Sequence, residues 1–515
     1  MVRSLMARRS LWARIGDQSF ELDATQIPTA DQPDLRMATP PRVRLARSVT
    51  LELAGYNCRY FVPVQSLEGG VLRLGDELWS LRRRRLHRAS PKDPVEIEMD
   101  TPWGRFAGTL LDLSSDGLAV RLAEPKNPLQ LGDTVQIYVP GQVHISATVQ
   151  AVDQDRVGCS VEPESDGTGA WWAWVDPIVH PGVALHACTT ADAMWSLYED
   201  AGYFNLAGKQ PEDFDDVKSG FTYVFDRLLA APHLGGHFIW ANHGEAEASA
   251  TMLRSYAQTL AGCQLAKRPG RTRGKATRRQ ILANVFLTSI EHMIARNARW
   301  HVVSVRRSEA TLARETYLAF ANELPDAQAC VVGEHFWQVH PTADPMPDQN
   351  TTVCRATQAD RQRVLEAVDR TWPAAFADAL DLVQGELELA TIGAKWREAG
   401  LDRGREVWVA RQHGQPVAAA LLEWFEPGTH LYGIGDAVRI LSLERQPNLK
   451  AVDALLSICG QRYAEMGRSS WFLVTPIGGY APPNAQDLGE VDTILLAGEV
   501  LPSFVHDLIE WMAAR

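Results

Sequence analysis

The chain has little cysteine and no pattern in its use. Seven cysteines (Cys58, Cys159, Cys188, Cys263, Cys330, Cys354 and Cys459) are scattered over 515 residues, and none forms a C-x-x-C pair. An odd, dispersed set excludes a disulfide framework and a zinc site, and reads as buried thiols in a reducing cytoplasm. Long apolar runs are absent too: none reaches the ~18 residues that a membrane-spanning helix needs. The opening stretch MVRSLMARRSLWARIG is basic but has no continuous apolar segment, so no secretory signal is expected. An excess of positive charge is also missing. The formal net charge is −12, which excludes a broad surface for coating nucleic acid. What remains is an ordinary globular composition, 45% hydrophobic and 22% charged. At ~150 residues per domain, the length allows three or four domains.

The texture changes along the chain. Residues 1–40 are polar and proline-containing and are expected to form a flexible tail. Residues 41–81 hold short strand-like runs (VRLARSVTLELAG, CRYFVPV, GVLRL), a small accessory β region. Residues 82–165 continue with VEIEMD, RFAGTLLDLS, GLAVRL, TVQIYV, HISATVQAV and RVGCSVE, alternating and separated by turn signals, which predicts a barrel or sandwich. ESDGTGAWWAW follows as a junction, its tryptophans 171, 172 and 174 expected to pack between domains. From about residue 185 the pattern becomes helix–hairpin–helix–strand, and it occurs twice, over 185–345 and 350–485. This predicts two related α/β lobes with mixed sheets, closed by a helical tail over 486–515.

The local anomaly is five arginines within seven residues, Arg82 to Arg85 and Arg88, in an acidic chain. Arg84-x-x-x-Arg88 is followed by Asp112-Leu113-Ser114-Ser115-Asp116-Gly117, set between two β-like segments. An Asp, a hydroxyl and a Gly can close a compact polar turn, with Gly allowing an unusual backbone angle. The chemistry suits a guanine nucleotide with several phosphates. A guanidinium bonds the O6/N7 edge of guanine bidentately, or clamps phosphate. A carboxylate such as Asp112 accepts from the N1–H and N2–H edge, and Ser114 and the backbone near Gly117 serve the remaining polar groups.

RRRRLHR followed by DLSSDG resembles the PilZ domain, a six-stranded β-barrel that receives cyclic di-GMP. The resemblance runs from Arg82 to about Pro163 and places Arg84 and Arg88 in its R-x-x-x-R motif. Asp112, Ser114 and Gly117 fall in its D/N-x-S-x-x-G motif. It implies cyclic di-GMP as ligand. Arg83 either covers the second half of an intercalated ligand dimer or is surface charge. The strands before Leu81 are similar to the accessory barrel of flagellar-brake-type proteins.

In the second lobe, EVWVARQHGQPVAAALLE looks like the central hairpin of the GNAT acyltransferase fold, which holds acyl-CoA between two splaying strands. The fold's pyrophosphate loop, Q/R-x-x-G-x-G/A, offers backbone N–H groups at a helix N-terminus. Arg271-Thr272-Arg273-Gly274-Lys275-Ala276 in the first lobe matches it through Arg271, Gly274 and Ala276, with a flexible basic loop as the competing reading. The second lobe has Glu444-Arg445-Gln446-Pro447-Asn448-Leu449-Lys450 there, without glycine and with a proline that lacks an N–H. The resemblance places a candidate acid at Tyr317, which otherwise packs on an amphipathic helix. Glu245, Glu247, Glu423 and Asp436 are candidate bases. His233, His237 and His243 have no zinc spacing, so no metal is expected. The function read from the sequence is a cyclic di-GMP effector whose barrel senses the nucleotide and regulates the attached GNAT-like lobes, with an unidentified downstream protein partner. Two alternatives stay open, a cyclic di-GMP-controlled N-acyltransferase using acetyl-CoA or another acyl-CoA, and a catalytically degenerate interaction platform. A cytoplasmic location is expected, with no nucleic acid bound.

Overall fold

The computed structural model describes the backbone of six strands between residues 11 and 74, then Leu86, and the chain from 88 to 508 apart from 125–127, 142, 164–166, 187–189, 205–213, 243–244, 271–277, 309–311, 341–350, 432–434, 446 and 506–507. The first six strands are β1 (Leu11–Ile15), β2 (Gln18–Leu22), β3 (Asp34–Arg36), β4 (Ser48–Leu53), β5 (Cys58–Glu68) and β6 (Val71–Leu74), in sheet order β2-β1-β4-β5-β6-β3. The expectation of a flexible tail over 1–40 is therefore corrected. β1 runs antiparallel to both β2 and β4, so the accessory sheet takes up part of that segment.

β7 (Glu96–Thr101), β8 (Gly104–Ser114), β9 (Gly117–Leu122), β10 (Thr134–Val139), β11 (Val143–Asp153) and β12 (Arg156–Val161) close an antiparallel barrel in the order β10-β11-β12-β9-β8-β7. Alternation builds it. In β12, Val157, Cys159 and Val161 are buried, while Arg156, Gly158 and Ser160 lie on the outer face. Closure leaves no free sheet edge.

Helix α1 (Thr168–Val179) leads out of the barrel. Trp171 and Trp172 are fully buried in one apolar cluster with barrel residues such as Ile145 and Val161, which is the packing role expected of this junction. The remaining strands are β13 (Val183–Leu185), β14 (Gly235–Asn242), β15 (Glu245–Tyr256), β16 (Thr259–Lys267), β17 (Trp300–Arg306), β18 (Ala329–Val339), β19 (Thr351–Arg355), β20 (Arg403–Gln412), β21 (Gln415–Phe425), β22 (Ala437–Ser442), β23 (Trp471–Pro476) and β24 (Gln486–Ala497). They form one sheet ordered β13-β14-β15-β16-β17-β24-β18-β23-β22-β21-β20-β19. The order is the same from either end. β13 to β18 are matched in sequence by β19 to β24, and the antiparallel pair β18/β24 lies at the centre.

Each half lends its last strand to the other. β24 pairs with β17, and β18 pairs with β23. The helical tail expected over 486–515 is thereby corrected, because Gln486–Ala497 is a central strand. Its last seven residues, Val491 to Ala497, are all buried and end in the apolar run Ile494–Ala497, as a strand covered from two sides requires. The two lobes are interlocked at this point rather than divided between 345 and 350.

Helices α2 (Ala191–Asp200), α3 (Asp215–Ala230), α4 (Arg278–Ala295) and α5 (Leu312–Asn322) belong to the first half. α6 (Gln358–Thr371), α7 (Ala374–Ala379), α8 (Ala390–Glu398) and α9 (Leu449–Glu465) belong to the second. α4 is buried on every side: Ile281, Val285, Phe286, Leu287, Ile290 and Ile294 are covered, and so are the polar Thr288, Glu291 and His292. Such a helix needs cover all round, and α4 shares one core with the sheet, the C-terminal residues Phe504 and Val505, and the barrel. Buried polar contacts join it to the end of α1: His292 Nε2 meets Asp176 Oδ1 at 2.8 Å, and His180 Nε2 lies 2.7 Å from Glu291 Oε2. Among the described residues no helix is long and apolar enough to cross a membrane.

Candidate nucleotide site and the two lobes

β8 and β9 form a hairpin in which Ser114 faces Gly117, so Ser115 and Asp116 make the turn. The register slips between Leu110 and Asp112, a bulge that re-aims the strand just where the polar motif begins. Ala89 exchanges both backbone hydrogen bonds with Leu113, each 2.9 Å. This bridge sets Arg88 beside Asp112. Arg88 Nη1 donates to Asp112 Oδ1 at 2.6 Å, and Arg156 Nη2 donates to Oδ2 at 3.1 Å. One carboxylate thus orients two guanidinium groups, and their forks are left able to meet further acceptors.

Ser114 is fully buried and donates to Asp116 Oδ1 at 2.7 Å. It locks the turn from within. Gly117 has no left-handed backbone angle, so the conformational reason expected for it is corrected to a steric one. A Cβ there would collide with the carbonyl oxygen of Cys159 and come within 3.5 Å of Arg88 Nη2. Gly117→Ala is expected to lower stability by about 1–3 kcal/mol, the usual cost of forcing atoms into a closed space. Thermal unfolding of the full chain checks this.

Beside the hairpin lies a cleft of about 740 Å³, within the range that holds small ligands. Arg88, Asp116, Arg156 and Ser160 line it from the barrel. Cys159 borders it too, but burial pushes its thiol up to about 12, which excludes a reactive thiolate. Arg82, Arg83, Arg84 and Arg85 lie outside the described residues. Arg156 was missed by the motif reading. It stands 44 residues from its partner Asp112 and is reached only through strand pairing, since Arg156 faces Arg121 and Asp112 faces Ala119. The outward alternation of RVGCSV was its one sequence signal.

In the sheet, β16 and β17 run parallel and stay paired only from Thr259/Trp300 to Ala261/Val302, although both strands continue. β22 and β23 repeat this, paired only from Ala437/Phe472 to Arg439/Val474. Each half therefore has a parallel pair that parts after three residues. Residues 271–277, which carry the proposed phosphate-loop positions Arg271, Gly274 and Ala276, lie outside the described residues. In the second half, Asn448 caps α9, its side chain accepting from Ala451 N–H at 3.2 Å. One of the N–H groups that would greet a phosphate there is already satisfied.

The candidate acid and bases fall into different settings. Tyr317 is fully buried against Phe286 and Phe504, and its hydroxyl meets His301 Nε2 at 2.6 Å. Burial lifts its pKa far above the usual range, so the hydroxyl keeps its proton within this packed setting. Glu245 is exposed at the start of β15, and Glu247 accepts from Asn242 at 3.1 Å. Glu423 is corrected as a base. Arg405 Nε donates to its Oε1 at 2.9 Å, Arg403 holds the other oxygen, and their charges outweigh burial to keep the carboxyl near about 2. Burial raises Asp436 to about 6 despite its 2.9 Å pair with Arg468. His237 bonds the Thr251 hydroxyl at 2.8 Å, and burial drops it to about 3. His243 lies outside the described residues, among which no cluster of metal-ligating side chains occurs.

Comparison with known proteins follows this geometry. Residues 82–170 match the PilZ domain family. No curated protein matches the chain. Among solved structures, a GCN5-related N-acetyltransferase from Sphaerobacter thermophilus is 15% identical, with 60% of this chain and 92% of that chain covered and a TM-score of 0.34. A tandem GNAT protein from the clavulanic acid biosynthesis pathway is 12% identical, with 60% and 95% covered and a TM-score of 0.33. The PilZ domain of YcgR from Escherichia coli, solved with c-di-GMP, is 19% identical, with 16% and 82% covered and a TM-score of 0.15. At such TM-scores these likenesses add no weight to the strand order and side-chain geometry. The closed barrel, its arginine-bound Asp112 hairpin and the family match together make residues 82–170 a PilZ domain.

Proposed function

We propose that the chain is a cyclic di-GMP receptor whose barrel regulates the GNAT-like halves attached to it. The observation that carries this is Asp112 holding Arg88 and Arg156 at a cleft large enough for a dinucleotide. Two oriented guanidinium forks answer guanine edges and phosphate oxygens better than any other common ligand class. In this reading Arg84 of the R-x-x-x-R motif, and with less weight Arg83, also bind the ligand.

The acyltransferase reading is favoured by the parallel pairs that part in both halves, and it attaches to the first half. There the R-x-x-G-x-A sequence immediately precedes α4. In the second half the capped α9 and the arginine-locked Glu423 favour a structural, partner-binding role. α4 offers the link between ligands. Its first residue follows Thr277, and its last turn borders the nucleotide cleft.

Calorimetry and thermal unfolding of the full chain test the proposal. Cyclic di-GMP at a hundredfold excess over its Kd is expected to stabilise by about 2.7 kcal/mol. Acetyl-CoA is expected to add a shift that changes when the dinucleotide is present, since coupling is reciprocal, and to lose it in Gly274→Asp. No heat with cyclic di-GMP at tens of micromolar, from folded protein, sinks the receptor reading.

A further inference from the structure

One wall of the nucleotide cleft does not belong to the barrel. Ala295, the last residue of α4, and Asn297 just beyond it line it together with Arg88 and Arg156. The end of α4 has a definite geometry. Asn297 N–H donates to the Ile294 carbonyl at 3.1 Å, Ala298 N–H to the Met293 carbonyl at 3.3 Å, and Asn297 has φ +50°. This is a helix stop in which the left-handed residue is usually glycine. Here the position carries a carboxamide instead, exposed at the cleft.

The same segment is tied to the polar hairpin. Trp172 Nε1 donates to the Ser115 carbonyl at 3.0 Å, and the Arg296 guanidinium sits 4.5 Å from the centre of the Trp172 ring. Arg296 is 2% exposed, so it is fixed in the core rather than reaching into solvent. Hairpin turn, indole and the end of α4 form one packed stack, which holds Asn297 at a set distance from the arginines.

We propose that Asn297 is a nucleotide-contacting residue supplied by the sheet, so that the cleft is composite and the ligand bridges barrel and first half. The chemistry complements the barrel side. The arginines provide only donors, whereas a carboxamide provides both a donor and an acceptor, as the two-sided hydrogen-bonding edge of guanine requires. The ligand class rests on the cyclic di-GMP reading above.

Asn297→Gly separates this role from helix capping, because glycine keeps the left-handed stop while the carboxamide is lost. In the full chain, calorimetry with cyclic di-GMP is expected to show about tenfold weaker binding for Asn297→Gly, from protein that thermal unfolding shows to be folded without ligand. Asn297→Asp is expected to bind more weakly still, since its carboxylate repels phosphate. Hydrogen exchange is expected to show ligand protection over 293–298 in the wild type. Wild-type affinity retained in Asn297→Gly, or protection confined to the barrel, overturns the composite site and leaves the receptor reading standing. A wild type that does not bind overturns the receptor reading and the composite site with it.

Discussion

Arg88→Ala is expected to weaken cyclic di-GMP binding by about a hundredfold in calorimetry while the barrel stays folded. Arg88 stands out among the described cations because its backbone and its head are both held. The neighbouring Ala89 is bridged to Leu113, and Asp112 takes Nη1 at 2.6 Å. The fork reaches the ligand already oriented, so little side-chain entropy is lost on binding. Hydrogen bonds to charged groups contribute roughly 1.5–3 kcal/mol each, and losing a preformed bidentate contact reaches the hundredfold range. Stability should change little, because Arg88 is near the surface and alanine leaves Asp112 paired with Arg156 at 3.1 Å. Arg156→Ala should cost less, since its side chain is 45% exposed and less firmly placed. Equal losses at the two positions would mean that both act only as diffuse charge.

The barrel was legible from sequence because alternating strands announce themselves locally. Its site was half legible for the same reason. Asp112, Ser114 and Gly117 share one hairpin, whereas Arg156 and Asn297 join it through strand register and packing across long stretches of chain. Even within the hairpin the roles needed coordinates: Ser114 turned inward, and Gly117 is required by the closeness of the Cys159 carbonyl. The repeated helix–hairpin–helix–strand pattern disclosed two related halves. It did not disclose their exchange of strands. The apolar run there is only Ile494–Ala497, and so short a run does not tell a doubly covered strand from a buried helix. Only its pairing with both β17 and β18 decides the matter.

Glu423→Ala is expected to be the most destabilising single change proposed, about 3–5 kcal/mol by chemical denaturation, the range for breaking a buried ion pair from one side. Arg403 and Arg405 are 0% and 2% exposed, and both rely on this one carboxylate. Backbone carbonyls share the load. Arg405 Nη2 donates to Leu380 O at 2.6 Å, and Arg403 Nη1 to Trp424 O at 3.1 Å. These neutral acceptors do not cancel two charges. The cluster also joins the halves, because Tyr256 of β15 donates to Glu423 Oε2 at 3.1 Å. The pH dependence has a fixed sign. The folded carboxyl is depressed from 4.5 to about 2. Its contribution, about 3 kcal/mol, is therefore complete above pH ~4.5 and drains away as pH falls through about 2. Glu423→Gln keeps an acceptor but not the charge, so it should lose less than alanine and lack this part of the acid sensitivity. A group that stays ionised to such low pH, with both oxygens bound to arginine, cannot take a proton from an amine near neutrality. Under the acyltransferase reading proposed above, acyl transfer measured on folded Glu423→Gln should therefore persist. Its loss from protein with intact unfolding cooperativity would return Glu423 to the chemistry.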